Sequence, residues 1–308
     1  PLLSFGIWML GPVLLEYATE AQKREHLPRI ARGEIRWCQG YSEPGAGSDL
    51  AALQTRAEPF VDERGGEAFL VNGQKVWTSY ADQADWIFAL VRTDPSRKHE
   101  GISFLLIDME SAGVQTRPIR LISGASPFCE TFFTDVRVPK ANLVGPVGGG
   151  WEIAKRLLQY ERQSISAGAF GRSTGLSVEA AAKTYAGDGE RITDPDLRAR
   201  VAAHAMDARA FSLTVRRVEQ EARAGAGVGP AASILKYAAA KLNQDRGELL
   251  IEAMGLQGLG WEGDGFAPAE LNETRQWLRS KGNSIEGGTS EINLNVVAKR
   301  VLGLLDHQ

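Results

Sequence analysis

The chain is organised around the segment Gln39-Gly40-Tyr41-Ser42-Glu43-Pro44-Gly45-Ala46-Gly47-Ser48-Asp49. Its glycines and proline indicate a tight loop whose backbone N–H groups can converge on an anion, and Ser42 and Ser48 add a hydroxyl donor at either end. Such a loop suits a pyrophosphate, but glycine-rich turns are common in loops that bind no ligand. The segment therefore raises a ligand-binding hypothesis that needs support from elsewhere in the chain.

That support comes from Trp77-Thr78-Ser79, which follows Asn72-Gly73. An Asn-Gly pair between runs of β-forming residues predicts a hairpin turn, so the indole ring and the hydroxyl are expected on the returning strand. A flat ring and a hydroxyl beside an anion-binding loop are suited to a flat, phosphate-bearing cofactor. The alternative for Trp77 is an ordinary place in a strand core.

Residues 36–144 are predicted to form a β domain. Short runs of β-forming residues are separated by turn residues, and the clearest are Ala68-Phe69-Leu70-Val71, Lys75-Val76-Trp77-Thr78, Trp86 to Val91, Ile102 to Ile107 and Glu130 to Thr134. No connection between them shows a convincing crossover helix. The pattern favours an antiparallel barrel or sandwich and argues against a parallel dinucleotide-binding fold, despite the glycine-rich loop.

Residues 145–308 are predicted to form a C-terminal helical bundle, so the fold class is α+β. Helical periodicity predicts four amphipathic helices, at about Trp151 to Tyr185, Asp196 to Arg223, Ala231 to Met254 and Gly288 to Leu305. Thr19 and Gln22 have the spacing of a capping box, which predicts a further helix start there and an end near Gly33. Residues 1–35 are interpreted as the remnant of an N-terminal helical domain.

Composition excludes several classes of function. The 308 residues carry a net charge of −3 and contain no Lys/Arg-rich run, which argues against a nucleic-acid surface. The apolar start of the chain is too short to span a bilayer. Cys38 and Cys129 lack metal-ligand spacing and the four histidines are scattered, so no metal site is predicted. A reduced, cytoplasmic setting fits this cysteine usage.

The sequence resembles the acyl-CoA dehydrogenases, flavoenzymes that oxidise acyl-CoA thioesters to 2-enoyl-CoA. Four segments carry the resemblance in the family's order and spacing, namely Ser42 to Asp49, Asn72 to Thr78, Asp135-Val136-Arg137-Val138-Pro139 and Gly287-Gly288-Thr289-Ser290-Glu291-Ile292. The likeness covers nearly the whole chain. It implies FAD as cofactor, an acyl-CoA substrate and an N-terminal helical domain that is largely missing from this chain.

Desaturation of a thioester needs a base for the α proton and an acceptor for the β hydride, and no amino-acid side chain accepts hydride. The base is expected to be a carboxylate in an apolar pocket, where desolvation raises the pKa. Glu161 interrupts the apolar stripe of the first bundle helix, which is formed by Ile153, Leu157, Leu158, Ile165 and Ala169. The bland alternative, an ion pair with Arg162, is disfavoured because adjacent residues on a helix diverge.

Glu286 is the competing carboxylate. Many members of the family place their base immediately before the Gly-Thr-Ser of the last matching segment, where this chain has Gly287, with Glu286 one position earlier. Other members, including isovaleryl- and long-chain-type enzymes, have a small residue there and carry the base on the bundle helix as Glu-Arg. Glu161-Arg162 matches that pattern, so Glu161 is the expected base and Glu286 the reserve.

The resemblance also implies roles in FAD binding. Ser42 matches a hydroxyl position that faces the flavin, and Gly47 and Ser48 match the pyrophosphate loop. Trp77 and Thr78 match residues that flank the isoalloxazine ring. Thr289 and Glu291 match positions around the adenosine or ribityl part, although Thr289 is equally suited to cap a helix and Glu291 to favour the helix dipole.

Two departures from the family pattern affect the expected assembly. The loop Gly187 to Ile192 lacks the usual Arg-x-x-Phe-Gly, and Glu252-Ala253-Met254-Gly255-Leu256 replaces a Gln-x-x-Gly-Gly segment. In the family both segments reach the FAD of a neighbouring subunit. The hypothesis is therefore a heteromeric enzyme, with an electron-transfer flavoprotein or a similar acceptor, although a homo-oligomer stays open. The alternatives are a non-catalytic partner subunit and a relative with oxidase chemistry.

Overall fold

The computed structural model describes residues 5–61, 65–164, 175–224 and 231–305. The chain divides into two compact units, the first comprising residues 1–120 and 125–161 and the second residues 121–124 and 162–308. The three-part domain division expected from the sequence, with boundaries after residues 35 and 144, stays a prediction.

The first unit begins with helices. A π-helical turn (Gly6–Leu10) leads into α1 (Gly11–Tyr17) and α2 (Glu20–Arg32). The start of α2 is a capping box, in which the Thr19 hydroxyl accepts from the Gln22 backbone N–H and the Gln22 side chain accepts from the Thr19 N–H. Gly33 ends the helix with φ of 69°. Both predicted limits of this helix are confirmed.

Eight strands form one mixed sheet. They are β1 (Trp37–Gly40), β2 (Arg56–Val61), β3 (Glu67–Ser79), β4 (Trp86–Arg92), β5 (Ile102–Asp108), β6 (Val114–Ile119), β7 (Phe128–Pro139) and β8 (Leu143–Val144). The order is β6-β7-β3-β2-β4-β5-β8, and β1 pairs with β4. Because β1 and β2 both pair with β4 in parallel, and β6 and β8 end the path, the prediction of an antiparallel barrel is wrong. The long excursion between β1 and β4 brings them parallel without a crossover helix.

Strand β3 runs through the predicted hairpin turn. Asn72 and Gly73 lie inside one strand of 13 residues, so the hairpin prediction is wrong. The pairing with β7 shifts register between Val71 and Gly73, which makes this pair a bulge. The Asn72 side chain bonds to Asp135 on the partner strand, with its amide donating at 3.0 Å and its oxygen accepting from the Asp135 N–H at 2.9 Å. The Asn-Gly signal therefore marks an irregularity within a strand.

The sheet separates two hydrophobic clusters, since alternate residues of a strand face opposite sides. On one side Phe88 and Leu90 of β4 pack in a cluster with Leu10 and Val13 of the N-terminal helices and with Ile153 and Leu157. On the other side Ile87, Ala89 and Val91 pack with residues of β3, β5 and β7. Each buried aliphatic side chain contributes about 1.5–3 kcal/mol, which holds the N-terminal helices against the sheet.

Helices dominate the chain after β8. They are α3 (Gly150–Ser164), α4 (Val178–Tyr185), α5 (Pro195–Arg223), α6 (Ala231–Met254), α7 (Pro268–Ser280) and α8 (Ser290–Val296), with a π-helical turn at Val297–Val301. The predicted single helix from Trp151 to Tyr185 is wrong, because residues 175–177 are not helical; its residues 165–174 lie outside the described ranges. None of the described helices is both long and apolar enough to cross a membrane.

Helix α7 was missed because its buried face is polar. Glu270, Glu273 and Thr274 are all buried, so the helix shows no apolar stripe of the usual kind. Glu270 accepts a hydrogen bond from the Tyr185 hydroxyl at 2.6 Å, and Glu273 pairs with Arg246 at 3.1 Å. These partners compensate for desolvation of the carboxylates, and only the folded chain brings them together. The predicted bundle of four helices is therefore incomplete.

Gly73→Ala is expected to destabilise the first unit. Gly73 has φ of 150°, and an added Cβ would lie 2.6 Å from the Cα of Thr55. Because backbone cannot move away as a side chain can, we expect the free energy of unfolding to fall by about 2–4 kcal/mol. Urea denaturation followed by tryptophan fluorescence measures it. The control is Gly45→Ala, since a Cβ at Gly45 meets no atom within 4 Å; equal losses in the two variants would contradict the assignment.

Candidate active site

The loop after β1 is closed on itself. The Glu43 N–H donates to the Ala46 carbonyl and the Ala46 N–H to the Glu43 carbonyl, both at 3.0 Å. The Val76 N–H donates to the Ser42 carbonyl at 2.9 Å, which fixes the start of the loop beside β3. A Cβ at Gly45 or Gly47 would meet no atom within 4 Å, so this stretch of backbone borders open space. The loop can therefore approach a ligand closely.

A buried ion pair anchors this loop. The Lys75 ammonium lies 2.7 Å from the Glu43 carboxylate, and the two side chains are 0% and 6% exposed. Lys75 also donates to the Tyr41 carbonyl at 3.2 Å. The backbone N–H groups of Gln54 and Thr55 donate to Glu43 at 2.6 and 2.9 Å. The loop is thus tied to β3 and to the segment before β2.

The pKa values of this pair reflect its burial. Burial lowers the pKa of Lys75 to about 8, although the charge of Glu43 works in the opposite direction. Burial works to raise the pKa of Glu43, but the Lys75 ammonium and the two N–H donors hold it below its usual value. Glu43 is therefore an ionised, fully committed carboxylate.

Trp77 and Thr78 lie where β3 is irregular. Trp77 has φ of 61°, a conformation that costs a bulky residue about 1–3 kcal/mol. Its ring is 55% exposed and meets Phe128 edge to face at 6.1 Å. Thr78 is buried, and its hydroxyl has no hydrogen-bond partner within the described part of the chain. Trp77 is not in the strand core; this unit presents a flat aromatic face next to an orphaned hydroxyl.

Glu161 lies near the C-terminal end of α3, one helical turn after buried Leu157 and two turns after buried Ile153. The carboxylate is half-buried, and the Gln39 amide donates to its Oε2 at 3.4 Å. Ile165 and Ala169, which continue the predicted stripe, lie outside the described ranges, as does the side chain of Arg162. Glu161 therefore follows the buried stripe of α3 to the end of β1.

The second unit holds the other predicted residues. Glu286 accepts hydrogen bonds from Arg279 at 2.6 Å and from the Asn283 side-chain amide. The Thr289 hydroxyl accepts from the Ile292 N–H at 3.2 Å, which makes Thr289 the N-cap of α8, with Glu291 in the first turn. Burial lowers the pKa of Lys236, while Glu286 and Glu291 act to raise it. Glu286 is thus held in a polar cluster.

Glu252, in the segment that departs from the family pattern, is also paired. Both of its carboxylate oxygens accept from the Arg200 guanidinium at 2.7 Å, in a bidentate arrangement. Across the described residues, no group of three or more His, Cys, Asp or Glu side chains is placed to hold a metal ion.

Sequence reasoning identified most of the first-unit residues but missed three, Gln39, Tyr41 and Lys75. Gln39 and Tyr41 were quoted only as part of the loop segment, and their alternation with buried Cys38 is the signal that puts them on one face. Lys75 lay in a strand whose neighbours are apolar, where a lysine is rare without a partner. Together the first unit offers a carboxylate, an open loop, an aromatic face and an orphaned hydroxyl.

Comparison with known proteins follows from this geometry. Residues 38–136 match the family model described as acyl-CoA dehydrogenase, middle domain, and residues 148–302 match acyl-CoA dehydrogenase, C-terminal domain. Among curated relatives, the acyl-CoA dehydrogenase IpdE1 of Mycolicibacterium smegmatis is 37% identical over 309 residues, which cover 97% of this chain and 75% of that protein.

Solved structures show the same likeness. The structure titled Tcur3481-Tcur3483 steroid ACAD is similar with a TM-score of 0.87 and 30% identity, covering 98% of this chain and 77% of that one. The ChsE4-ChsE5 complex from Mycobacterium tuberculosis has a TM-score of 0.82 and 30% identity, covering 100% of this chain and 79% of that one.

Lys75→Met is expected to lower the free energy of unfolding by about 3–5 kcal/mol, because it leaves the buried Glu43 carboxylate without its cation. Chemical denaturation of the purified chain measures the loss. The double variant Glu43→Gln/Lys75→Met is expected to recover part of it, since no buried charge is left uncompensated.

The matched control is Lys98→Met, which breaks an exposed pair with Asp49 at 3.2 Å in which the side chains are 60% and 63% exposed. A change within about 0.5 kcal/mol is expected there. Similar losses for Lys75→Met and Lys98→Met would show that the buried pair has no special weight.

Proposed function

This chain belongs to the acyl-CoA dehydrogenase family, whose members act on CH–CH bonds, and from that premise we propose that it catalyses the FAD-dependent α,β-dehydrogenation of an acyl-CoA thioester to the 2-enoyl-CoA. The observation that carries the proposal is the position of Glu161. This carboxylate follows the buried stripe of α3 and lies beside β1, directly before the open loop. We propose Glu161 as the base that takes the α proton.

The residues of the first unit fit a flavin, the cofactor of the family in general. The orphaned, buried Thr78 hydroxyl is a donor in need of an acceptor, and the exposed Trp77 ring offers a flat surface. Ser42, Gly47 and Ser48 would hold the phosphates through hydroxyl and backbone N–H groups. Bound FAD would supply the acceptor for the β hydride.

In the second unit, Thr289 and Glu291 are proposed to contact the rest of the cofactor. The Thr289 hydroxyl already caps α8, so its contribution would come from its second lone pair or from the backbone. Glu286 is less suited to act as base than Glu161, because an arginine and an amide already bind its carboxylate. Its proposed role is to order the loop that precedes Thr289.

The acyl group is proposed to be bulky. A structural neighbour is titled a steroid ACAD, and this chain has a glycine, Gly287, where many members of the family carry a side chain. A ring-bearing acyl-CoA is therefore the first substrate class to test. An electron-transfer flavoprotein or a similar carrier is the proposed oxidant of the reduced flavin.

The assembly is proposed to be heteromeric. The bidentate bond to Arg200 occupies Glu252, at the place where the family carries a glutamine that contacts a neighbour's cofactor. A carboxylate there also repels phosphate. A neighbouring structure is titled a complex of two chains, ChsE4-ChsE5. The same observation favours a second candidate, a non-catalytic subunit that completes the site of another chain.

Glu161→Gln is expected to lower the rate of flavin reduction by at least about 100-fold, because it removes the general base. The measurement is anaerobic bleaching of bound flavin against a panel of straight-chain, branched and ring-bearing acyl-CoA thioesters. Glu286→Gln is the matched control and is expected to stay within about threefold of the unchanged enzyme. If Glu286→Gln alone abolishes bleaching, the base assignment is wrong.

Purification of this chain alone and with candidate partner chains tests the assembly. We expect low FAD occupancy for the chain alone and full occupancy with a related but different chain, because this chain is poorly equipped to bind the distal end of a neighbour's cofactor. Full occupancy in a homo-oligomer would rule out the heteromeric proposal. Bleaching that survives Glu161→Gln in the complex would favour the non-catalytic subunit.

A further inference from the structure

One face of β1 is directed at the helix that carries Glu161. Trp37 and Tyr41 belong to the same hydrophobic cluster as Ile153 and Leu157 of α3, whereas Cys38 belongs to the cluster on the other side of the sheet. Gln39 lies between Trp37 and Tyr41 in this alternation, so its side chain shares their face. There its amide reaches the Glu161 Oε2 at 3.4 Å.

Tyr41 places a second polar group on that face. Its ring is 5% exposed and is fixed edge to face against Phe88 at 6.1 Å and Phe104 at 6.5 Å. Its hydroxyl is buried and has no hydrogen-bond partner among the described residues. Burial, assisted by the charge of Glu161, raises the pKa of Tyr41 well above its usual value, so the hydroxyl remains a donor. An unsatisfied buried donor costs about 1–3 kcal/mol, which a functional partner would offset.

We propose that Gln39 and Tyr41 are positioning residues for Glu161, two neutral donors that hold one side of its carboxylate and leave a lone pair directed at the substrate α-carbon. This inference rests on the proposed role of Glu161 as base. Neutral donors orient a carboxylate with less loss of basicity than a paired cation causes, since charge-assisted hydrogen bonds are about twice as strong. Glu43, saturated by Lys75 and two N–H groups, shows the opposite arrangement in the same unit.

The test uses the flavin-loaded enzyme, with its partner chain if one is required, in the variants Tyr41→Phe and Gln39→Leu. Anaerobic rapid mixing gives the rate constant of flavin reduction and the dissociation constant of the best acyl-CoA in the panel. We expect the rate constant to fall about 3- to 30-fold in each variant, with the dissociation constant and the flavin occupancy unchanged. Gln39→Glu is expected to fall further, because it places a second negative charge beside the base.

A second readout isolates proton removal. The 3-thia analogue of the same acyl-CoA can lose its α proton but has no β carbon to give hydride, so exchange of that proton in D2O reports on the base alone. We expect exchange to slow by the same factor as flavin reduction in both variants. Exchange at the unchanged rate in both would overturn the proposal.

The matched control is Thr131→Val, which removes another buried hydroxyl without a partner in the described part of the same unit. It is expected to react as the unchanged enzyme does. If Tyr41 is only structural, Tyr41→Phe will match this control in rate. Activity that survives Glu161→Gln, or a panel with no reactive acyl-CoA, would defeat the proposed function and this inference with it. Loss with Glu161→Gln but normal rates in Tyr41→Phe and Gln39→Leu would defeat the inference alone.

Discussion

The buried ion pair between Lys75 and Glu43 is the interaction on which the candidate site depends. Two charges removed from water are tolerated only when their remaining hydrogen-bonding capacity is satisfied. Here the Tyr41 carbonyl and the N–H groups of Gln54 and Thr55 meet that need. Because each partner comes from a different segment, the pair fixes the loop, the approach to β2 and strand β3 at once.

Three glutamates in this chain show how surroundings assign different roles to the same side chain. Glu43 is saturated by a cation and two backbone donors, and Glu286 is bound by Arg279 and Asn283. Glu161 faces an amide at 3.4 Å and lies near a phenol, at the end of an apolar stripe. A carboxylate held by a cation loses basicity, whereas one held by neutral donors keeps it. That contrast is the physical basis for assigning the base to Glu161.

Sequence reasoning succeeded where periodicity reflects burial on one face or both. Strands β4 and β5 and helix α2 were predicted within a residue or two, because apolar runs and a capping box are local signals. It failed where long-range contacts override a local signal. Asn72-Gly73 reads as a turn, yet pairing with β7 and close contact with Thr55 keep it within a strand. Helix α7 was missed because buried acids with distant partners replace its apolar stripe.

The sequence by itself determined the family, through four motifs in fixed order, and with it the identity of most candidate residues. Only the tertiary structure decided their partners. Lys75 meets Glu43 across 32 residues of chain, and Gln39 meets Glu161 across 122. Motifs record which residue types the chemistry needs, but the free energy of a buried charge or an orphaned hydroxyl depends on neighbours that folding alone brings within reach.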